Sequence, residues 1–256
     1  VAGTYQPPVY KGMGKPLLRQ LFTSEFVHGS DGMGEMQLAD PELQVADAHA
    51  VDKIIELIHQ YPHELDIITL GPLTNIAWAC AKAPEIATLV KSVVVMGGSG
   101  LGPGNITPLA EFNVFVDAEA AQIVIDSGMP LTFVGWELSI GETFINQSDI
   151  DQLLSSGSTI AAFCVRCNDS LKQFIATFLG KTGFDLPDPV AMMVALYPDV
   201  VTRQIEVFTY VEYRSADGYG QLVLDQHNVL KRPPNARICL EVDAARFKEK
   251  LFELIQ

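Results

Sequence analysis

Three polar side chains stand close together in one glycine-rich stretch, GSGLGPGNITPLAEFN at residues 98–113. Glu111 and Asn113 are two positions apart, so in an extended segment both side chains point to the same side. A carboxylate accepts hydrogen bonds and an amide both donates and accepts them, which suits vicinal hydroxyl groups. With Asn105 they form a candidate sugar-binding set. Spacing alone favours a simpler role, in which these polar residues cap the start of a helix.

Two further positions carry candidate chemistry. Asp188 opens a helical run at residues 189–196, and with Pro189 behind it the pattern is typical of a helix N-cap. Its alternative role is a hard oxygen ligand for Ca²⁺ or Mg²⁺, which needs several further oxygen ligands. His28 lies in the sequence HGSDG, where an imidazole can sit near a substrate but is more often a surface turn residue.

Apolar, β-branched runs alternate with helical patterns along most of the chain. The strand patterns cover residues 67–70, 92–96 and 130–136, and the helical patterns cover residues 43–60, 73–83, 117–126 and, broken near 155–157, 150–179. Strands that are apolar throughout and separated by helices predict a parallel sheet covered on both faces. Ligand sites in such sheets lie beyond the carboxyl ends of the strands. This rule nominates residues 70–75, 96–98, 136–137 and 186–189.

The last quarter of the chain has a different pattern. Residues 203–213 and 220–224 alternate around the turn sequence SADG, which predicts an antiparallel hairpin, and a strand at 236–242 then leads to a helix at 244–255. No long linker or internal repeat divides the sequence. The predicted fold class is therefore α/β: an open, mostly parallel, doubly wound sheet with helices on both faces and a C-terminal antiparallel hairpin, in one domain of residues 1–256.

Composition limits the partners and the compartment. The chain has 17 Lys and Arg against 31 Asp and Glu, a net charge of −14, which argues against a nucleic acid as the main partner. No apolar run reaches the roughly 18 residues of a membrane span, and the first residues lack a signal-peptide pattern. Four scattered cysteines favour a reducing compartment, so we predict the cytoplasm. Cys164 and Cys167 form a CxxC in a helical pattern and are interpreted as buried thiols.

Five segments carry a more specific pattern: VHGSDGMG at 27–34, LGPLTNIA at 70–77, VVMGG at 94–98, GNITPLAEFNVFVDAEAA at 104–121 and LPDPVAM at 186–192. They resemble the inosine-uridine preferring nucleoside hydrolases. The resemblance implies an open α/β fold, a homo-oligomer and a tightly held Ca²⁺. It also implies hydrolysis of the N-glycosidic bond of ribonucleosides in purine and pyrimidine salvage, through an oxocarbenium-like transition state. A phosphate-binding protein is disfavoured, because no P-loop lysine accompanies the glycines.

The resemblance implies a substrate-binding role for five residues. Asn105, Glu111 and Asn113 match positions that hold the ribose hydroxyls, in agreement with their polarity. Phe112 would lie beside the sugar. His28 matches a histidine of an early loop near the substrate.

A calcium site is also implied by the resemblance. Asp188 matches a carboxylate ligand of the ion, and Leu70 falls where family members give a backbone carbonyl, a ligand that does not depend on the side chain. Trp136 has no counterpart in the family pattern. It ends a predicted strand at the ligand edge, and core packing is favoured over base stacking for this residue.

Two departures from the family pattern affect the mechanism. The chain has no DxDxGxDDA motif, so we expect the general base and the other calcium carboxylates in a first strand and helix that precede residue 1 in the natural protein; the alternative is a truncated homologue that lacks them. Pro187 stands where uridine-hydrolysing members carry a histidine that protonates the leaving base. The candidate acids are then His28, His227 and Tyr219. These departures motivate a rival hypothesis, a non-catalytic nucleoside- or sugar-binding relative.

Overall fold

The computed structural model describes residues 5–256, and a five-stranded sheet lies at its centre. The strand order is β1 (Asp66–Thr69), β2 (Ser92–Met96), β3 (Leu131–Val134), β9 (Ala236–Val242) and β6 (Val201–Val207). The first four strands are parallel, and β6 runs antiparallel to β9 at the edge. The predicted mostly parallel sheet is confirmed.

Helices cover both faces of this sheet. Val93 and Val95 of β2 point into an apolar cluster on one face, and Val94 and Met96 point into a second cluster on the other. The first face is covered by α2 (Ala50–Gln60), α3 (Thr74–Lys82), α4 (Ile86–Leu89) and α6 (Ala118–Asp126), and the second by α10 (Pro187–Leu196) and α11 (Ala244–Ile255). This two-period alternation of buried residues confirms the doubly wound arrangement.

A third apolar cluster lies beyond the sheet. It is built from β4 (Ile145–Asn146), β5 (Gly183–Phe184), α7 (Gln147–Ser155), α8 (Thr159–Arg166) and α9 (Asp169–Phe178). The strands β4 and β5 pair antiparallel, and α9 contacts α1 (Glu25–His28). The helical pattern at 150–179 is therefore three helices and not two, with the predicted break at 155–157 and a second break at Asn168.

The C-terminal hairpin is present but smaller than predicted. β7 (Thr209–Glu212) pairs with β8 (Gln221–Leu224), whereas residues 203–207 belong to β6 of the main sheet. Asn235 explains the division, because its amide oxygen accepts the Thr209 N–H at 2.8 Å and its amide nitrogen donates to the Thr209 carbonyl at 2.9 Å. These bonds satisfy the backbone where the chain turns from one sheet to the other.

The first long helix is also shorter than its pattern. It begins at Ala50 because the His49 side chain accepts the Val51 N–H and caps the helix, while Ala46 forms an isolated parallel bridge with Tyr10. The prediction of helix over residues 43–49 was wrong. One further short helix, α5 (Phe112–Val116), directly precedes α6.

The four cysteines are free thiols. Cys80 and Cys239 are buried, but Cys164 and Cys167 are only half-buried, so the expectation of two buried thiols on one helix was too strong. Cys167 lies at the C-cap of α8 rather than inside the helix. Within residues 5–256 we find no helix long and apolar enough to cross a membrane.

Candidate functional site

A cavity of about 440 Å³ opens at the carboxyl ends of three parallel strands. Leu70 follows β1, Met96 ends β2 and Trp136 follows β3, and all three line the cavity. Its volume lies within the range of small-molecule sites, roughly 300–1,000 Å³. The strand ends therefore position a ligand-sized space.

Glu111 is the most deeply buried polar side chain of the lining, with 2% of its surface exposed. Its carboxylate accepts the backbone N–H groups of Gly98, Asn113 and Val114 at 3.0, 2.9 and 3.2 Å. It is thus the N-cap of α5, as the simpler interpretation of the spacing predicts, and it also lines the cavity. Burial raises the pKa of Glu111 to about 7. The three N–H donors favour the charged form and act in the opposite direction, lowering the pKa.

Gly98 connects two sides of the cavity. Its N–H donates to Glu111, and its carbonyl accepts the Trp136 backbone N–H at 3.0 Å. The φ of Gly98 is 75°, in the left-handed region that side chains disfavour, so glycine is required at this turn.

The two asparagines are oriented by backbone contacts. Asn105 is exposed at the cavity, and its amide oxygen accepts the Phe112 N–H at 2.8 Å. Asn113 donates through its amide nitrogen to the Met96 carbonyl at 3.2 Å and to the Met96 sulfur at 3.1 Å. Within the described part of the chain, the Asn105 amide nitrogen and the Asn113 amide oxygen make no hydrogen bond, so one donor and one acceptor remain available at the cavity.

Asp188 lies in the first turn of α10 and lines the cavity together with Leu70. The N-cap of this helix is Leu186 and the first helical residue is Pro187, so the N-cap interpretation of Asp188 was wrong. The Asp188 carboxylate is half-buried and accepts no hydrogen bond from residues 5–256. Desolvation raises its pKa to about 6.

A half-buried carboxylate without a hydrogen-bond partner suits a bound cation, because partial removal of an unpaired charge from water is costly. The described residues contain no group of three or more His, Cys, Asp or Glu side chains that could hold an ion. The carboxylate of Asp188 is an oxygen donor of the kind that a hard divalent cation prefers, and it would supply one ligand of a shell that the described residues do not complete.

The three candidate acids lie in different places. His28, in the last turn of α1, lines the cavity at its exposed mouth. Tyr219 is outside the lining, and its hydroxyl donates to Glu119 at 2.6 Å. His227 is exposed in the turn after β8 and is also outside the lining. The structure thus leaves His28 as the one member of this set at the cavity, and nothing places Tyr219 or His227 near a ligand there.

Asp185 was not singled out from the sequence, although it is buried in the cavity wall. Its carboxylate accepts the Trp136 indole N–H at 2.6 Å and the Ser139 hydroxyl at 3.3 Å. Burial raises the pKa of Asp185. Desolvation lowers the pKa of His28, and the negative charge of Asp185 acts in the opposite direction, raising it. Its position three residues before Asp188 was the available signal, since one helix entry can present both carboxylates. Trp136 both packs against the core and lines the cavity.

Phe26 and Phe174 also line the cavity, and sequence reasoning missed both; together with Trp136 they are called the aromatic wall. The rings of Phe26 on α1 and Phe174 on α9 are 5.9 Å apart at 63°, an edge-type contact. Phe112 lines the cavity as well, and Phe22 lies 6.2 Å from its ring. No local pattern predicts a contact between residues so far apart in the chain.

Glu137 lies directly behind this site, and both of its carboxylate oxygens are buried without a hydrogen-bond partner among residues 5–256. A Cβ atom at Gly100, Gly102 or Gly135 would collide with the Glu137 side chain. Gly100, Gly102 and Gly135 therefore leave the space that Glu137 fills. Burial raises the pKa of this carboxyl group.

Comparisons with known proteins place this architecture. The family model described as inosine-uridine preferring nucleoside hydrolase matches residues 1–249. An uncharacterized protein of Schizosaccharomyces pombe is 35% identical over 256 residues, 99% of this chain and 81% of that protein. The pyrimidine-specific ribonucleoside hydrolase RihA of Salmonella dublin is 31% identical over 250 residues, 97% of this chain and 79% of its own.

The solved structure of a purine-preferring ribonucleoside hydrolase from Gardnerella vaginalis superimposes with a TM-score of 0.90 at 28% identity, covering 99% of this chain and 81% of that one. Fold and cavity together define an α/β protein with a ligand-sized cavity at the strand ends. The chain belongs to the inosine-uridine preferring nucleoside hydrolase family, whose members are hydrolases acting on the N-glycosyl bonds of ribonucleosides. Enzymes of this family are generally metal-dependent.

Proposed function

We propose that this protein hydrolyses the N-glycosidic bond of ribonucleosides to ribose and free base with the help of Ca²⁺. The observation that carries the proposal is one cavity lined by Asn105, Glu111, Asn113 and Asp188. These side chains offer a donor, acceptors and carboxylates within a space of nucleoside size.

The ribose end is proposed to bind by complementary hydrogen bonds. The free Asn105 amide nitrogen donates to one sugar hydroxyl and the free Asn113 amide oxygen accepts from another, while Phe112 packs beside the sugar. Fixed positioning of this kind can supply roughly 7 kcal/mol or more of a reaction barrier in favourable cases. The backbone bonds that hold both amides support such preorganisation.

Transition-state charge is proposed to be stabilised by the buried carboxylates. An oxocarbenium-like sugar carries positive charge, and the Glu111 and Asp188 carboxylates face it from a partly desolvated wall, where electrostatic interactions are strong. Asp188 and the Leu70 carbonyl would hold the cation, whose chemistry when bound is to polarise the attacking water and hold sugar hydroxyls. His28 is the candidate group in the cavity for protonating a leaving base.

The wider setting is proposed on the same basis. Residues 1–256 are taken as one domain that assembles as a homo-oligomer in the cytoplasm and serves nucleoside salvage. Its named relatives act on different bases, one described as pyrimidine-specific and another as purine-preferring, so both classes of nucleoside belong in any substrate panel.

Ribose release tests the proposal. The protein, expressed from its complete coding sequence, is incubated with inosine, uridine and p-nitrophenyl riboside in the presence of Ca²⁺. We expect free ribose from at least one of them, and at least a hundredfold slower release by Asp188→Asn. Asp217→Asn, which removes a carboxylate from the exposed hairpin turn, is the matched control.

A second candidate is a non-catalytic nucleoside-binding protein, and Pro187 favours it because proline in the cavity wall cannot transfer a proton. Saturable binding of inosine or uridine without release of ribose from any of the three compounds would support this candidate and contradict the hydrolase.

A further inference from the structure

A second cavity, of about 340 Å³, lies beside the edge of β7 that does not pair with β8. Residues of α6, of β7 and of the turn after it line this cavity, together with Arg232. Among residues 5–256, none lines both this cavity and the one at the strand ends. Its volume falls within the range of small-molecule sites, roughly 300–1,000 Å³. It is therefore a separate space that can hold a small ligand.

Two arginines without an ionic partner line the second cavity. Four other arginines pair with a carboxylate, whereas Arg214 and Arg232 form no ion pair with residues 5–256. Arg214 donates one side-chain hydrogen bond, to the Tyr213 hydroxyl at 3.0 Å, and the Arg232 side chain donates none within the described part of the chain. A guanidinium group carries five N–H donors in a fork that matches phosphate or carboxylate oxygens. Most of these donors therefore remain available to an anion.

Aromatic rings and a stiff segment restrict both guanidinium groups. The Arg214 guanidinium lies 5.1 Å from the centre of the Tyr213 ring, and the Arg232 guanidinium lies 4.9 Å from the centre of the Phe208 ring. Two prolines follow Arg232, and a proline limits the backbone of the residue before it. Groups that are already held in place lose less conformational entropy when a ligand binds.

The second cavity also offers flat surfaces and a neutral donor. Tyr210 and Tyr213 line it, and both side chains are half-buried. Aromatic rings of this kind stack on the face of a planar ligand. The amide oxygen of Gln122 accepts the Val211 N–H at 2.7 Å, and its amide nitrogen makes no hydrogen bond with residues 5–256. The nitrogen is therefore available to a ligand.

Two carboxylates in the lining narrow the choice of ligand. One oxygen of Glu212 accepts the N–H groups of Arg214 and Ser215 at 2.6 and 2.9 Å, so this side chain serves the turn after β7. Asp126, the last residue of α6, is exposed and forms no ion pair within the described part of the chain. It repels a bare anion but accepts a hydrogen bond from a hydroxyl or amino group. The lining as a whole therefore suits an anion that is attached to a ring and a hydrogen-bond donor.

We propose that the second cavity binds a phosphate monoester of a planar ring compound, of the chemical class of the nucleoside monophosphates. A phosphate monoester carries a charge of about −1.5 to −2 near pH 7, so it engages both Arg214 and Arg232, whereas a single carboxylate carries one charge. The ring stacks on Tyr210, and Asp126 accepts a hydrogen bond from a hydroxyl group of the ligand. The cavity at the strand ends offers no such site, because none of the described residues in its lining is a lysine or arginine.

Calorimetric titration tests the proposal with ligands that differ in one part at a time. The protein, expressed from its complete coding sequence, is titrated with adenosine 5′-monophosphate (AMP), uridine 5′-monophosphate (UMP), ribose 5-phosphate and inorganic phosphate. Ribose 5-phosphate lacks the ring, and inorganic phosphate lacks both the ring and the sugar. We expect AMP or UMP to bind at least tenfold more tightly than either of these two. The dissociation constant should rise with added NaCl, because salt screens the guanidinium groups.

Variants test whether these side chains are the cause. Arg214→Gln and Arg232→Gln should each raise the dissociation constant of the nucleotide at least tenfold, and Arg232→Lys should raise it less, because lysine keeps the charge but loses the fork. Arg166→Gln is the matched control and should change it less than twofold, since Arg166 is also exposed, also lacks an ion pair with residues 5–256 and lines neither cavity. Tyr210→Leu should weaken nucleotide binding at least threefold and leave the binding of ribose 5-phosphate unchanged. Thermal unfolding curves that match wild type show that each variant is folded.

Three results would overturn the inference. The first is no saturable binding of AMP or UMP, and the second is an unchanged affinity in the double variant Arg214→Gln/Arg232→Gln, which places the nucleotide elsewhere. The third is equal affinity for AMP, UMP and inorganic phosphate, which excludes recognition of the ring. Ribose release from inosine should be the same in the double variant and in wild type. Nucleotide binding and hydrolysis are thus measured separately, and failure of either proposal leaves the other standing.

Discussion

The cavity at the strand ends has two walls that are held together by different contacts. The polar wall consists of Asn105, Glu111 and Asn113, and the aromatic wall consists of Phe26, Trp136 and Phe174. Asn105, Glu111 and Asn113 are fixed by hydrogen bonds to the backbone of β2 and the N-terminus of α5, whereas Phe26 and Phe174 meet through ring contacts between α1 and α9. Directional bonds to the sheet restrict a group to one geometry, while apolar ring contacts tolerate exchange. The comparison teaches that the polar side chains are held in one fixed geometry, whereas the aromatic wall can exchange side chains and keep its packing.

The largest effect is expected at the polar wall. Glu111→Ala removes the acceptor of three buried backbone N–H groups, and we expect a loss of about 3 kcal/mol in the free energy of unfolding, measured with urea. Ribose release should fall by at least a thousandfold. Glu142→Ala, at an exposed position, is the control and should change stability by less than about 0.5 kcal/mol. Equal stability of both variants would show that the cap is not what fixes this wall.

The carboxyl group of Glu111 also makes the stability of the fold depend on pH. Its pKa is raised to about 7 in the folded protein, so the folded state keeps a proton that the unfolded state releases near pH 4.5. The stabilisation that this proton gives the folded state is therefore complete below pH 4.5 and is lost as the pH rises through about 7. We expect wild type to lose about 3 kcal/mol more stability than Glu111→Gln over this range. If plots of the free energy of unfolding against pH are parallel for wild type and Glu111→Gln, the raised pKa of Glu111 is contradicted.

The two tryptophans offer a matched test of the aromatic wall. Trp136→Phe removes the indole donor to the buried Asp185 carboxylate and should cost about 1.5–2 kcal/mol of stability. Trp78→Phe, at a side chain that is 44% exposed, should cost less than about 0.5 kcal/mol. Nucleoside binding should quench the fluorescence of Trp136 in the Trp78→Phe variant. Quenching only in Trp136→Phe would place the ligand elsewhere.

The smallest effect concerns His28 at the mouth of the cavity. Desolvation lowers its pKa, so an NMR titration should give a midpoint below the value of about 6.5 for an exposed histidine. The Asp185 charge opposes this shift, and Asp185→Asn should lower the midpoint further. Asp217→Asn removes one charge at a distant exposed site and should leave it in place. A His28 midpoint that rises in Asp185→Asn would contradict the conclusion that the Asp185 charge raises the pKa of His28.

The contrast between the walls also explains what the sequence could predict. The polar wall is encoded within residues 104–121, so its members are visible as one local pattern, and the strand ends follow from the apolar runs. Phe26 and Phe174 belong to distant helices, and only tertiary packing brings them together. The boundary between β6 and β7 likewise depends on Asn235, which no alternation of apolar residues reveals.

The environment of Glu137 has a consequence for engineering this enzyme. The side chain fills volume that substituents at Gly100, Gly102 and Gly135 would otherwise need, so a larger residue at any of these positions requires Glu137 to shift or to be replaced. A library that randomises the 98–104 loop with Glu137 retained should return glycine at residues 98, 100 and 102, because Gly98 has a positive φ and the other two face Glu137. When the loop is grafted from a relative, we expect success only if the residues of that relative at positions 135 and 137 are transferred together with the loop.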